Sequence, residues 1–391
     1  MNTTALKRSE RPSPESTDDA HAQPTKRSKP LGPSQSFADV LQEIPVNKSS
    51  LSGPRRPGRV KLEMRIPFQL IDVHVHPNAL AASDVALLFG VTQNGSRVLV
   101  HVLVSTLPNP CQDAVQSLLL HYKIPAMSWI ESPAGRYDKV RVSQRVSHSA
   151  RELVVKHEDI VFHPPGGINK MAPLKILSFD IETAVHDDGK FTDFSKSAKL
   201  AVLQIGNIIE KIVGTGKRET FRIIFTLNTC APIEGAEVRS YQDEASMLAA
   251  WRLFVIQSDP DILTGFNIGL FDLNYLLLRA EGLGIPEFAC LGRLKGVDAV
   301  ARKLARPNEW RRYCDAPVLP GRLQLDTRQY FVEVEQHKLR QEANNPYLII
   351  KSGLQDVCLR FLESRKEDVP HTTINALQAG TPEDRKKLAV Y

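Results

Sequence analysis

The chain has 391 residues, 42% hydrophobic and 24% charged, enough apolar material for two ordinary cores. Its five cysteines, Cys111, Cys230, Cys290, Cys314 and Cys358, are widely spaced without a Cys-x-x-Cys pair, which excludes a disulfide scaffold, a zinc knuckle and an iron–sulfur cluster. The formal charge of +6 is uneven: residues 1–59 hold ten Lys or Arg against six Asp or Glu, so the remainder is nearly neutral and bulk charge does not by itself mark a nucleic-acid binder.

Residues 1–59 are rich in Ser, Pro, Lys and Arg and lack hydrophobic periodicity, which predicts a disordered basic tail. Within it, Lys26-Arg27-Ser28-Lys29 is a short basic cluster of the kind that serves nuclear import. No signal-peptide pattern opens the chain, and no apolar run approaches the ~18–20 residues of a membrane span, so a soluble, membrane-free protein with reduced, buried thiols is expected.

Residues 60–168 read as a small β-rich domain. Val85 to Gly90 and Arg97 to Val104 alternate as strands, with Asn94-Gly95 supplying a hairpin turn. Leu70 to Pro77 contains His74-Val-His76 at a strand end, a pair that opens metal-dependent amidohydrolases; that class also needs a closed eight-stranded barrel with later ligands. Exposed or half-buried strand histidines are the competing reading.

Residues 169–391 follow an α/β rhythm. Strands are predicted at Leu174 to Asp180, Leu200 to Ile209 and Glu219 to Leu227, the last two joined as a hairpin through Gly214 and Gly216. A helix over Asp243 to Gln257, a strand over Asp261 to Thr264 and a helix over Leu270 to Leu283 come next. A strand follows over Gly321 to Asp326, whose terminal acid reads as structural. Thr381-Pro-Glu-Asp384 predicts a capped helix start near the end of the sequence.

Asp180 and Glu182 stand one residue apart where the first of these strands ends. Alternate strand residues project to one face, so two like charges point together and both stay ionised only with a cation between them. Asp272, at a helix start after a strand and a Gly turn, is delivered to the same end of a sheet. Three convergent carboxylates suit hard divalent cations such as Mg²⁺. Two such ions ~3.5–4 Å apart activate water and stabilise a leaving oxygen in phosphodiester hydrolysis.

Asp180-x-Glu182 together with Asn267-x-x-x-Phe271-Asp272-x-x-Tyr275 resembles the first two exonuclease motifs of the family B DNA polymerases. Met171 to Glu182, Thr226 to Ile233, Ser364 to Val369 and Arg385 to Tyr391 resemble the delta-type catalytic subunits of that family, and the resemblance covers roughly residues 60–391. It implies a ribonuclease H-like 3′→5′ exonuclease domain over 169–391, incomplete at its end, behind an N-terminal domain with an OB-like portion over 60–168. In that portion Phe89 to Gly95 resembles one of the family's hairpins; the match breaks after Val104 and resumes near Trp129, so a lost strand and an unpaired sheet edge are expected there. The stretch from Tyr330 to Ile350 departs from the family's pattern.

The resemblance also implies the site. Asp180, Glu182 and Asp272 hold two Mg²⁺, Tyr391 positions the attacking water, and Asn267 and Phe271 meet the last nucleotides of a single-stranded primer 3′ end. The family's third motif is Tyr-x-x-x-Asp; Tyr391 matches its Tyr, and no Tyr in the 391 residues has an Asp four positions on. The sequence as written therefore predicts a proofreading site short of one ligand and inactive, with a non-catalytic nucleic-acid-binding relic as the alternative and the His74/His76 amidohydrolase behind it. In the family, the sliding clamp and accessory subunits bind mostly outside the part resembled here. The resemblance places the protein in DNA replication in the nucleus.

Overall fold

The structure, a computed structural model, describes residues 64–77, 84–104, 114–125, 127–164, 168, 170–186, 199–213, 217–300, 316–345, 348, 351–364 and 369–391. The basic tail, Cys111, Cys314 and the glycines of the 214–216 turn lie outside them.

Seven strands form the first sheet: β1 (Ile66–Val75), β2 (Val85–Thr92), β3 (Arg97–Leu103), β4 (Trp129–Ser132), β5 (Tyr137–Lys139), β6 (Arg151–Lys156) and β7 (Val161–Phe162). Their order is β5-β6-β3-β2-β1-β4-β7. The β2–β3 hairpin forms as the sequence predicts: Gly95 adopts φ 82°, and the Thr92 amide bonds the Ser96 carbonyl at 3.0 Å. The expected unpaired edge is absent beside β3, because β6 pairs with it in parallel, Val98 opposite Arg151 through Leu103 opposite Lys156. Helix α1 (Ala114–Tyr122), which the sequence reading missed, buries Ala114 and Leu118 against this sheet with Phe68, Leu88 and Val100.

The second sheet holds β8 (Lys175–Thr183), β9 (Val202–Val213), β10 (Lys217–Leu227), β11 (Glu237–Tyr241), β12 (Ile262–Gly265) and β13 (Leu323–Asp326), in the order β11-β10-β9-β8-β12-β13. The β8–β9–β10 meander is antiparallel, while β12 and β13 add in parallel beside β8. This is the β-meander opening into alternating elements that the sequence predicts. Helix α2 (Glu244–Ser258) starts on the Asp243 side chain, which accepts from the Ser246 amide, and ends at Asp259 in the left-handed region. Its Met247, Leu248, Trp251, Phe254 and Val255 recur at helical spacing and are buried. They cover the face that carries Phe179 and Phe225: the Phe179 and Trp251 ring centroids are 5.5 Å apart, and the Trp251 indole donates to Asn207 Oδ1 at 2.9 Å. Helix α3 (Asp272–Gly282) is tied to α2 by the two-pronged Arg279–Glu244 pair at 2.8 and 2.6 Å.

After β13 the chain is helical through α4 (Thr327–Tyr330), a π-helical turn (Phe331–Glu335) and α5 (Gln336–Glu342), part of the stretch that departs from the family's pattern. Helix α6 (Leu354–Leu362) buries no residue, and its Phe361 ring meets Phe331 edge-on at 5.8 Å. Helices α7 (His371–Ala379) and α8 (Pro382–Val390) close the described chain. α8 has the predicted cap: Thr381 and Asp384 exchange side-chain and backbone hydrogen bonds, with Pro382 at the first helical position. Ile374 and Leu388 pack on Leu203 with Tyr391, which carries the end of α8 to the sheet.

The two sheets are joined by buried charge. Arg97, at the start of β3, reaches Asp261 at 2.9 and 3.1 Å; Arg293 reaches Asp261 at 2.7 Å and Asp259 at 2.9 Å; Arg322 reaches Asp259 at 2.8 Å. From β1, Asp72 accepts from the Gly321 amide at 2.8 Å.

His74 is the penultimate residue of β1 and His76 lies just beyond its end in this open sheet, where the His76 ring lies 5.7 Å from His101, and His101 approaches Glu152 at 3.4 Å. β3–β6 is the parallel pairing of a mixed seven-stranded sheet, so the barrel that an amidohydrolase requires is not formed and that reading falls. Cys230, Cys290 and Cys358 are free thiols, as expected, but half-buried rather than buried.

Candidate active-site cleft

The acid pair is placed by β8. Asp180 pairs with Gly206 and Glu182 with Gln204 across β9, so both acids stand on the face of the sheet opposite Phe179 and α2. Asp272 reaches the same place from another direction. β12 ends at Gly265, where a side chain would meet the Phe179 carbonyl oxygen at 2.6 Å; only glycine lets the strand end run this close to β8. The chain then turns through Asn267 at φ 68° and enters α3 with Asp272 at its first position.

Asp326 fixes that turn. In its buried carboxylate, Oδ1 accepts from the amides of Asn267 at 2.9 Å, Arg328 at 2.9 Å and Gln329 at 3.3 Å, and Oδ2 accepts from the Gly269 amide at 3.1 Å. The sequence reading of Asp326 as a structural acid agrees with this geometry. Tyr275, the last residue of the second motif, is buried and donates to the Leu200 carbonyl at 2.9 Å, a packing role.

Asp272 is 1% exposed, and its Oδ1 accepts from the Ile181 amide, between the two acids of β8, at 3.1 Å. Burial first, and then the charge of Asp180, push its carboxyl well above the usual carboxylate range. The donor set, three carboxylates without nitrogen or sulfur, fits a hard divalent cation. Among the described residues, however, no group of three or more His, Cys, Asp or Glu side chains is poised to hold a metal ion.

All six residues singled out in the sequence come together. Asp180, Glu182, Asn267, Phe271, Asp272 and Tyr391 line one cavity of about 260 Å³, along with Phe266, Arg328 and His371. A second cavity of about 460 Å³ lies over the same sheet face and shares Asp180, Glu182, Phe266, Leu354 and Tyr391 with the first. Gln204, Gly206 and Arg222 line this second space. Sequence reasoning missed Gly206, Arg222, Arg328 and His371. Gly206 did carry a signal, since an isolated glycine inside a strand marks a bulge or a close approach by another molecule; the other three carried none.

The family described as DNA polymerase family B, exonuclease domain, matches residues 112–339, a span that holds Asp180, Glu182, Asn267, Phe271 and Asp272 and begins before residue 169. The DNA polymerase delta catalytic subunit of Candida albicans is 36% identical over 318 residues, which are 80% of this chain and 28% of that protein. That of Mesocricetus auratus is 37% identical over 272 residues, 68% of this chain and 23% of that protein, and that of Schizosaccharomyces pombe is 38% identical with the same coverage. The chain thus spans about a quarter of the length of these relatives. Among solved structures, a family B DNA polymerase from the archaeon Pyrobaculum calidifontis aligns with a TM-score of 0.47 at 15% identity, covering 83% of this chain and 44% of that one.

Proposed function

The chain belongs to the exonuclease-domain family of the family B DNA polymerases, and from that premise we propose that its cleft hydrolyses the single-stranded 3′ end of a mispaired DNA primer, as the proofreading part of a delta-type replicative polymerase. The observation that carries this reading is the convergence of Asp180, Glu182, Asp272, Asn267, Phe271 and Tyr391 on one cavity from β8, the β12–α3 turn and the end of α8.

Asp180, Glu182 and Asp272 would hold Mg²⁺, which when bound supplies water activation and charge stabilisation at the leaving oxygen. The chain's own residues orient the substrate around that chemistry. The Asn267 side-chain amide would hydrogen-bond the terminal nucleotide, its backbone amide being held by Asp326. The Phe271 ring, at the entrance to α3, offers a face on which a frayed base stacks. Tyr391, which lines both cavities, would direct the attacking water through its hydroxyl. The products are nucleoside monophosphates, and the protein acts in the nucleus with a clamp and accessory subunits bound outside these elements.

A second reading, binding of nucleic acid without hydrolysis, is favoured by the lack of a poised three-acid group among the described residues. One experiment separates the two. The 391-residue chain is incubated with Mg²⁺ and a 5′-labelled primer whose 3′ end is mispaired, and products are resolved at single-nucleotide steps. Stepwise shortening that disappears in Asp180→Ala, Glu182→Ala supports hydrolysis; a primer that is bound and left intact supports the second reading and overturns the first.

A further inference from the structure

We propose that Arg222 and Arg328 are the phosphate anchors of a single-stranded nucleic-acid track that crosses the second sheet over Gly206 and passes the acid pair. The inference rests on the strand-trimming reading and adds to it how the strand is held.

Strand register places the track. Arg222 on β10 pairs with Ile208 on β9, which pairs with Ser178 on β8; one row along, Ile224 pairs with Gly206 and Gly206 with Asp180. Directly opposed residues present their side chains to the same face, so Arg222 stands on the face of Asp180 and Glu182, two strand spacings of about 4.8 Å away. Arg328 stands on the other side. The Asp326 carboxylate fixes its amide at 2.9 Å, and its side chain lines the cavity that holds Asp272. Because the two cavities share Asp180, Glu182, Phe266, Leu354 and Tyr391, they form one groove with the acids in its middle and an arginine toward each end.

Charge bookkeeping selects these two cations. Arg97, Arg279, Arg293 and Arg322 are spent on carboxylates, and Arg385 on the carbonyls of Gln378 and Gly380. Among the described residues, the guanidinium groups of Arg222 and Arg328 have neither an ion-pair nor a hydrogen-bond partner in the chain; Arg222 is exposed, Arg328 is half-buried, and each lines a cavity that also holds Asp180 and Glu182. A planar guanidinium matches a phosphate through two parallel hydrogen bonds, and a polyanion passing three carboxylates needs such countercharge on its flanks. Gly206 leaves the floor open between them: a Cβ there would meet nothing within 4 Å, and its backbone is not in the left-handed region. Glycine is thus not required there for folding, and the space above it is what a passing backbone needs.

The test is fluorescence anisotropy of the full chain with a 5′-labelled oligothymidylate whose 3′ linkage is a phosphorothioate, in Mg²⁺, over a salt series. Arg222→Gln and Arg328→Gln are each expected to weaken binding several-fold at low salt and to reduce the slope of log Kd against log salt by about 0.7, one phosphate contact on a single strand. Arg222→Lys keeps the slope. Gly206→Val is expected to weaken binding at least tenfold with the slope unchanged, because it blocks the track without removing charge. Arg252→Gln, on α2 behind the opposite face and bonded to Glu287, changes neither quantity. Thermal melts of each variant confirm folding. Wild-type binding whose salt slope survives both Gln variants overturns the track and leaves the trimming reading standing. A wild-type chain that binds no strand overturns both.

Discussion

The seam between the two sheets and the cleft on the second sheet both gather charge out of water, and they balance it by opposite rules. At the seam, Arg97, Arg293 and Arg322 surround Asp259 and Asp261, and further guanidinium hydrogens go to the carbonyls of Gly95, Asp259, Pro260, Leu291 and Gly321 at 2.6–3.4 Å. Burial pushes the Asp259 carboxyl up, but Arg293, Arg322 and Arg97 outweigh it and hold the group far below the usual carboxylate range. In the cleft, Asp272 sits between Asp180 and Asp326, and burial and both neighbouring acids push its carboxyl up. The seam closes its charge with the chain's own cations. In the cleft the neighbours that act on Asp272 are acids instead, the kind of perturbed group that marks candidate functional sites.

The seam is where substitution should cost most. Arg293 is 1% exposed and donates to two carboxylates and three carbonyls, so Arg293→Met strips Asp259 and Asp261 of their most buried shared cation and leaves only Arg97 within reach of both. Breaking a buried pair from one side costs ~3–5 kcal/mol. Urea unfolding of the variant should lose that amount. A loss below ~1 kcal/mol would mean that water enters the seam and the comparison with the cleft does not hold.

Asp72 sharpens the same contrast by pH. It lies beside Arg293 at the seam, yet burial raises its carboxyl to about 6, with the Gly321 and Val73 amides and Arg293 opposing. A carboxyl whose folded pKa exceeds its unfolded value of 3.8 binds more protons in the folded state, so the stability it contributes is present below about pH 4 and is lost as pH rises to about 6. The difference amounts to about 3 kcal/mol. Asp72→Asn forfeits one of the two accepted amide bonds at every pH, so only the slope is diagnostic. The stability of wild type minus variant should fall across pH 4–6 and stay flat above it; a difference that is flat throughout removes Asp72 from the titrating groups.

What the sequence disclosed follows from range. The acid pair was legible because a period of two puts Asp180 and Glu182 on one face within three residues, and Asp272 because a Gly turn and helical spacing mark the start of α3. The β8–β9–β10 meander was legible from alternation and the glycines between its strands. The seam was not, because Arg97 and Asp261 are 164 residues apart and Asp72 and Gly321 are 249 apart, and a lone charge in a strand announces no partner. The parallel addition of β6 beside β3 was hidden for the same reason, since nothing local specifies a crossover. Arg222 reads in sequence as one more strand arginine; only the register through Ile208 to Ser178 puts it over the cleft.

The smallest effect expected carries the opposite sign to the largest. Asp272→Asn keeps an oxygen that accepts from the Ile181 amide, while it removes a buried carboxyl whose ionisation burial, Asp180 and Asp326 oppose. If the cleft is held in a conformation that suits a cation rather than the fold, the metal-free protein should become more stable, by ~1–2 kcal/mol in urea unfolding with EDTA present, as primer shortening is lost. Magnesium should then stabilise the wild type more than the variant, because a cation rewards the state with the fuller set of carboxylates. A variant destabilised as strongly as Arg293→Met would instead place Asp272 with Asp326, among the acids whose charge serves the fold.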